Sequence, residues 1–95
     1  MNVAKIIGYN VRRLRLAMGI SQEQLSFRIE VINQAYVSEL ERGKRNPTAV
    51  LIAIIATALN VSPGDLFDVS GINEEWAHGP VEIRSKRTGR KSVGS

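Results

Sequence analysis

The chain has 95 residues, 43% of them hydrophobic but only 5% aromatic, so one small globular domain must fill its core with Ile, Leu, Val and Ala, which suits closely packed helices. It has no Cys, which excludes disulfides and thiolate zinc sites. Thirteen basic against nine acidic residues leave a formal charge of +4, the balance of proteins with a polyanionic partner, shared by DNA-binding, ribosomal and membrane-surface proteins.

Ile7, Val11, Leu14 and Met18 recur at helical spacing, which predicts a first amphipathic helix over roughly 3 to 18 with Gly19 as its left-handed stop. Ser21 with Gln24 three residues on forms a capping-box pattern, so a second helix is expected from about 22 to 29, turning Leu25 and Ile29 inward. Asn33 suits the cap of a third helix, about 34 to 42, with Val37 and Leu40 facing the core and Gly43 ending the run. After Pro47, Thr48 caps AVLIAIIATAL, a fourth helix that stops at Asn60, a residue tolerant of the left-handed conformation. SPGD then announces a short fifth helix, with Ser62 as cap, Pro63 at its first position and Asp65 at its positive end, delivering Leu66 and Phe67 to the core. No strand alternation, repeat or low-complexity block precedes residue 68. The expected fold is all-α, a compact five-helix bundle over 1–67 followed by an extension over 68–95.

The opening MNVAKIIGYNVRR has no apolar run of signal-peptide length, and the sequence holds no stretch of about 18 apolar residues, so a soluble cytoplasmic protein that engages no membrane is expected. Two short helices joined by a tight turn are marginal alone, and one common use of such a pair is the helix-turn-helix, whose second helix enters the DNA major groove. The motifs VRRLR at 11–15, GISQEQL at 19–25, YVSELERGKRNP at 36–47 and IIATALNVSPGDLF at 54–67 resemble the Cro/phage-repressor-like (XRE) helix-turn-helix family over about two thirds of the chain.

The resemblance implies a site made of matching positions. Gln22 stands where the family touches a phosphate and props a recognition-helix side chain. Asn33 to Glu39 match the exposed start of the recognition helix, which places Gln34, Ala35, Ser38 and Glu39 where base edges or flanking phosphates are read. Their chemistry agrees, since Gln pairs bidentately with adenine, Ala meets a thymine methyl and Glu accepts from cytosine N4. Tyr36 matches an aromatic that reaches the sugar-phosphate backbone. Arg42, Lys44 and Arg45 would add phosphate contacts and salt dependence. Arg15 and Glu41 match a partly buried scaffold salt bridge. Plainer roles compete: Gln34 and Glu39 also suit a solvated helix face, and Arg42 and Lys44 also suit the negative end of a helix. His78 has no second ligand nearby and argues against metal or acid–base chemistry. Trp76 lacks basic neighbours in sequence and is expected to plug a small groove rather than stack on a base.

Two departures from the family pattern stand out. IEVIN at 29–33 puts Glu30 or Val31 where Gly is usual, so an altered or lengthened turn is expected. Helix four carries Val50, Leu51 and Ile54 where polar residues are usual, and a helix apolar all round must be covered all round. A homodimer contact through these three residues and the neighbourhood of helix five is the expectation, with the chain's own tail or simple exposure as alternatives.

Beyond Asp68, DVSGINEEW is mildly acidic and VEIRSKRTGRKSVGS is basic, with Arg84, Lys86, Arg87, Arg90 and Lys91 set among Ser and Gly. A flexible arm that binds phosphates or solubilises the protein is expected there, with a weak strand signal at 81–84. Two functions remain: a sequence-specific regulator that binds double-stranded DNA as a dimer on a palindrome, and a protein-interaction module, antitoxin-like or an adaptor, that uses helix four. An enzyme is disfavoured by the lack of a nucleophile–base pair, paired carboxylates, a metal cluster or a phosphate-cradling Gly loop, and no cofactor is expected.

Overall fold

A computed structural model describes residues 1–83. The elements run α1 (Val3–Ala17), α2 (Gln22–Ile29), α3 (Gln34–Glu41), α4 (Ala49–Ala58), a 3-10 helix (Pro63–Phe67) and α5 (Glu74–Ala77). No strand occurs among the described residues. α1 packs on α3 and on the 3-10 helix, α2 on α3 and α4, and α5 closes on α1.

Local chemistry sets the element ends. Asn2 caps α1 by accepting from the Lys5 amide at 3.0 Å, and Thr48 caps α4 through the Leu51 amide at 3.1 Å. Gly19 and Asn60 take the positive-φ positions expected of them, at φ 72° and 60°. α1 and α3 end at Ala17 and Glu41, each one residue short of expectation, with Met18 and Arg42 as C-caps.

The main core joins Ile7, Val11, Leu25, Ile29, Val37, Leu40, Ile52, Ile55 and Leu66, with Leu14 and Met18 half-buried at its edge. The fifth predicted helix is a 3-10 turn, and only Leu66 enters the core while Phe67 stays 44% exposed. A single short turn presents one side inward, so neighbouring residues cannot both be buried. Asn10, buried in α1, donates to the carbonyls of Leu66 (3.0 Å) and Asp68 (2.8 Å), which fastens this turn to α1.

Helix four also differs from expectation. Leu51 and Ile54 lean on the main core and are half-buried, so of the three residues only Val50, at 70%, is strongly exposed. The extension folds back. Ile72 and Ala77 form a second cluster with Ile6, flanked by Met1 and half-buried Trp76. Residues 81–83 form no strand, although the Glu82 amide donates to the Met1 carbonyl at 2.8 Å. The predicted arm, with Arg84, Lys86, Arg87, Arg90 and Lys91, lies outside the described residues.

α1 crosses the end of α3 so closely that a Cβ on Gly8 would collide with the Leu40 carbonyl oxygen and crowd the Glu41 backbone. Neither backbone segment yields easily, because both belong to packed helices. Gly8→Ala should therefore lower stability by about 1–3 kcal/mol despite alanine's better helix propensity. Urea unfolding checks this, and an equal or higher stability would contradict the close approach.

Candidate nucleic-acid interface

The positions of α2 and α3 follow from their first turns. Ser21 Oγ accepts from the Gln24 amide (3.0 Å) while Gln24 Oε1 accepts from the Ser21 amide (2.8 Å), a complete capping box that fixes Gln22 in the first turn of α2. Asn33 Oδ1 accepts from the Tyr36 amide at 2.8 Å and starts α3 with Gln34 and Ala35 exposed. Between the helices, Glu30 sits at φ 72°, ψ −37°, and the Val31 amide donates to the Ile29 carbonyl at 2.9 Å, a γ-turn about Glu30. The altered turn expected here is thus a strained left-sided residue at Glu30, not at the β-branched Val31.

A hydrogen-bonded chain runs from the scaffold to the outer face of α3. Arg15 engages Glu41 in two bonds, Nε to Oε2 at 2.6 Å and Nη2 to Oε1 at 3.0 Å, and donates Nη1 to the Ile20 carbonyl at 2.8 Å. Glu41 Oε1 also accepts from Gln22 Nε2 at 3.1 Å, and Gln22 Oε1 accepts from Gln34 Nε2 at 2.9 Å. The pair is buried, with side-chain exposures of 9% and 2%. The hydrogen bond to Glu41 raises the Arg15 pKa against the opposing pull of burial, so the guanidinium stays charged. Gln34 keeps one N–H and its carbonyl oxygen for a partner outside, the combination a bidentate contact with adenine uses.

The other predicted residues divide. Asn33, Ala35, Tyr36, Glu39 and Arg45 line one shallow hollow on the outer face. Within it Arg45 Nε donates to Glu39 Oε1 at 2.9 Å, and its guanidinium lies 4.8 Å from the centre of the Tyr36 ring. Burial raises the Tyr36 pKa against the opposing influence of Arg45, which keeps the phenol protonated and able to donate. The Glu39–Arg45 pair is solvent-exposed, 41% and 48%, and such a pair contributes at most about 1 kcal/mol, so either partner can exchange it for an external group. Ser38 is half-buried on α3, and Lys44 is exposed in the following loop. Arg42 turns away from this hollow and lines a groove against α1. Three other cations of that groove, Lys5, Arg12 and Arg13, are not marked in the sequence; Arg12 and Arg13 fall in the VRRLR motif, which carries no signal separating a groove residue from a solvated one.

The Helix-turn-helix family model HTH_3 matches residues 11–66, the span that holds the capping box, the γ-turn and the Arg15–Glu41 pair. The chain belongs to this family. It has a helix-turn-helix DNA-binding fold, and the protein is a transcriptional regulator of the Cro/C1 type, a family that is not an enzyme class. It is similar to the uncharacterized HTH-type transcriptional regulator y4dJ of Sinorhizobium fredii, 42% identical over 70% of this chain and 84% of that one. It is also similar to the control protein C.BamHI of Bacillus amyloliquefaciens, 39% identical over 75% and 88%. Among solved structures, the restriction-modification controller protein C.AhdI of Aeromonas hydrophila superposes with a TM-score of 0.63 at 42% identity, covering 67% of this chain and 91% of that one. Among the described residues no helix is long and apolar enough to cross a membrane.

Removing one member of a buried ion pair strands the other. Glu41→Ala should cost about 3–5 kcal/mol, and Glu41→Gln less, because its amide oxygen still accepts one bond. Thermal and urea unfolding check both, and a loss under about 1 kcal/mol for the alanine variant would show that the pair does not hold these helices together.

Proposed function

We propose that the protein is a sequence-specific regulator that binds double-stranded DNA as a homodimer, each copy laying α3 in the major groove of one half of a palindromic operator. The observation that carries this reading is the chain Arg15–Glu41–Gln22–Gln34, which holds an exposed amide at the start of α3 with its pairing groups turned outward. Gln34 and Ala35 read base edges, Ser38 and Glu39 supplement them, and Gln22, Asn33, Tyr36, Lys44 and Arg45 meet the flanking backbone, while Arg42 faces the groove against α1. Half-sites then lie about 34–36 Å apart, as two-fold helix-turn-helix dimers require. Likeness to control proteins and to a restriction-modification controller supports a role of that kind in the cytoplasm, with residues 1–67 as the DNA-binding unit.

In selection from a random duplex library at physiological salt, the wild type should enrich a palindrome, and Gln34→Ala should lose or relax one base position by about 1–3 kcal/mol. Salt-sensitive binding with no enriched sequence would remove the specific-regulator reading and favour a protein-interaction module.

The dimer contact is proposed on α4. Arg28, Val50, Ala53, Ile54 and Thr57 frame an open, largely apolar hollow there, continuous with the strongly exposed Val50. Leu51 is half-buried against the main core and does not line this hollow. Val50→Glu combined with Ile54→Lys should shift sedimentation toward the monomer mass and weaken operator binding at least tenfold. Unchanged mass and affinity would place the interface elsewhere.

A further inference from the structure

Away from the outer row of α3, a groove of about 550 Å3 runs between the exposed side of α1, the end of α3 and α5. Small-molecule sites commonly occupy roughly 300–1,000 Å3, so the groove is of ligand size. Its walls are Tyr9, Leu16 and Trp76, and its cations are Lys5, Arg12, Arg13 and Arg42. The one carboxylate in the lining, Glu41, is 2% exposed and committed to Arg15 and Gln22, so it does not offset that charge at the surface.

The cations are not equivalent. Arg13 is held on Asn10 Oδ1 at 3.1 Å, and the Lys5 ammonium lies 5.3 Å from the centre of the Trp76 ring. Arg12 and Arg42 are exposed, and neither makes a side-chain hydrogen bond or ion pair among the described residues. Two uncommitted guanidiniums at the edge of an aromatic and aliphatic hollow match an acid head joined to a flat apolar body. The remaining chain is a poor occupant, because residues 84–95 bring Arg84, Lys86, Arg87, Arg90 and Lys91 and would meet like charge. A DNA backbone would use the cations but has no use for the apolar hollow.

We propose that this groove binds a small organic anion, its carboxylate, phosphate or sulfonate on Arg12 and Arg42 and its apolar body between Leu16, Tyr9 and Trp76. The proposal rests on the groove alone and stands whether or not α3 reads an operator.

Trp76 is the only tryptophan and lies in the wall, so its emission reports occupancy directly. The test titrates the full chain with 4-phenylbutyrate and, separately, with its neutral amide, following Trp76 fluorescence and backbone amide chemical shifts. The expected result is saturable binding of the anion with a Kd of about 1 mM or tighter for a probe this small. Amide shifts should centre on residues 5–16, 41–43 and 76, and the neutral amide should bind at least tenfold more weakly. Arg12→Gln and Arg42→Gln, both at exposed positions, should each weaken the anion severalfold while far-ultraviolet circular dichroism stays unchanged. No saturation, equal binding of the neutral amide, or shifts centred on α4 would overturn the proposal. A Trp76 response to a random-sequence duplex and none to the anion would assign the groove to the DNA backbone and overturn it equally.

Discussion

The buried ion pair between Arg15 and Glu41 is the contact on which the arrangement of α2 and α3 depends. Taking two charges out of water costs several kcal/mol for each, and their attraction offsets this only when geometry is good and the remaining polar atoms are satisfied. Both conditions are met: the contact is bidentate, Arg15 also donates to the Ile20 carbonyl, and Glu41 also accepts from Gln22. No buried side-chain nitrogen or oxygen among the described residues lacks a partner. One pair therefore ties α1, the turn before α2, the first residue of α2 and the last residue of α3 to a common point. α2 and α3 have eight residues each, too few to persist alone, so their mutual angle comes from this clamp and from Leu25, Val37 and Leu40 beneath it.

Most of this was legible because helix boundaries are written in local chemistry. Ser21, Asn33 and Thr48 cap where their side chains predict, and Gly19 and Asn60 take left-handed positions that few other residues tolerate. What escaped depends on relations that no short window contains. The Glu39–Arg45–Tyr36 cluster spans a helix end and a loop, and Arg45 reads in sequence as one more loop cation. Phe67 looks as apolar as Leu66, and only the handedness of a single 3-10 turn against α1 separates them. Glu30 shows the opposite case: the missing glycine predicted an altered turn, and the chain places the positive φ there on a side chain that is not β-branched.

The segment after the family match has its own logic. Ile72, Trp76 and Ala77 cover Ile6, a residue of α1 whose side points away from the main core. α1 is thus packed on two sides, against the helix-turn-helix unit on one and against α5 on the other. The groove lined by Trp76 and the cations of α1 exists because α5 is a single turn and leaves the middle of α1 uncovered. A similar accounting applies to α4, where Ile52, Ile55 and Ala56 are buried while Val50 remains open beside Arg28.

In the proposed mode of recognition, Gln22 acts on sequence reading by holding Gln34. A double-mutant cycle on the ratio of operator to scrambled-duplex affinity, with Gln22→Ala, Gln34→Ala and the double variant at fixed salt, tests it directly, because the ratio cancels contacts common to all sequences. The predicted result is a double variant no less selective than Gln34→Ala alone, a coupling of about 0.5–3 kcal/mol. Strictly additive losses would mean that each glutamine contributes to recognition without the other, and would overturn the positioning role of Gln22.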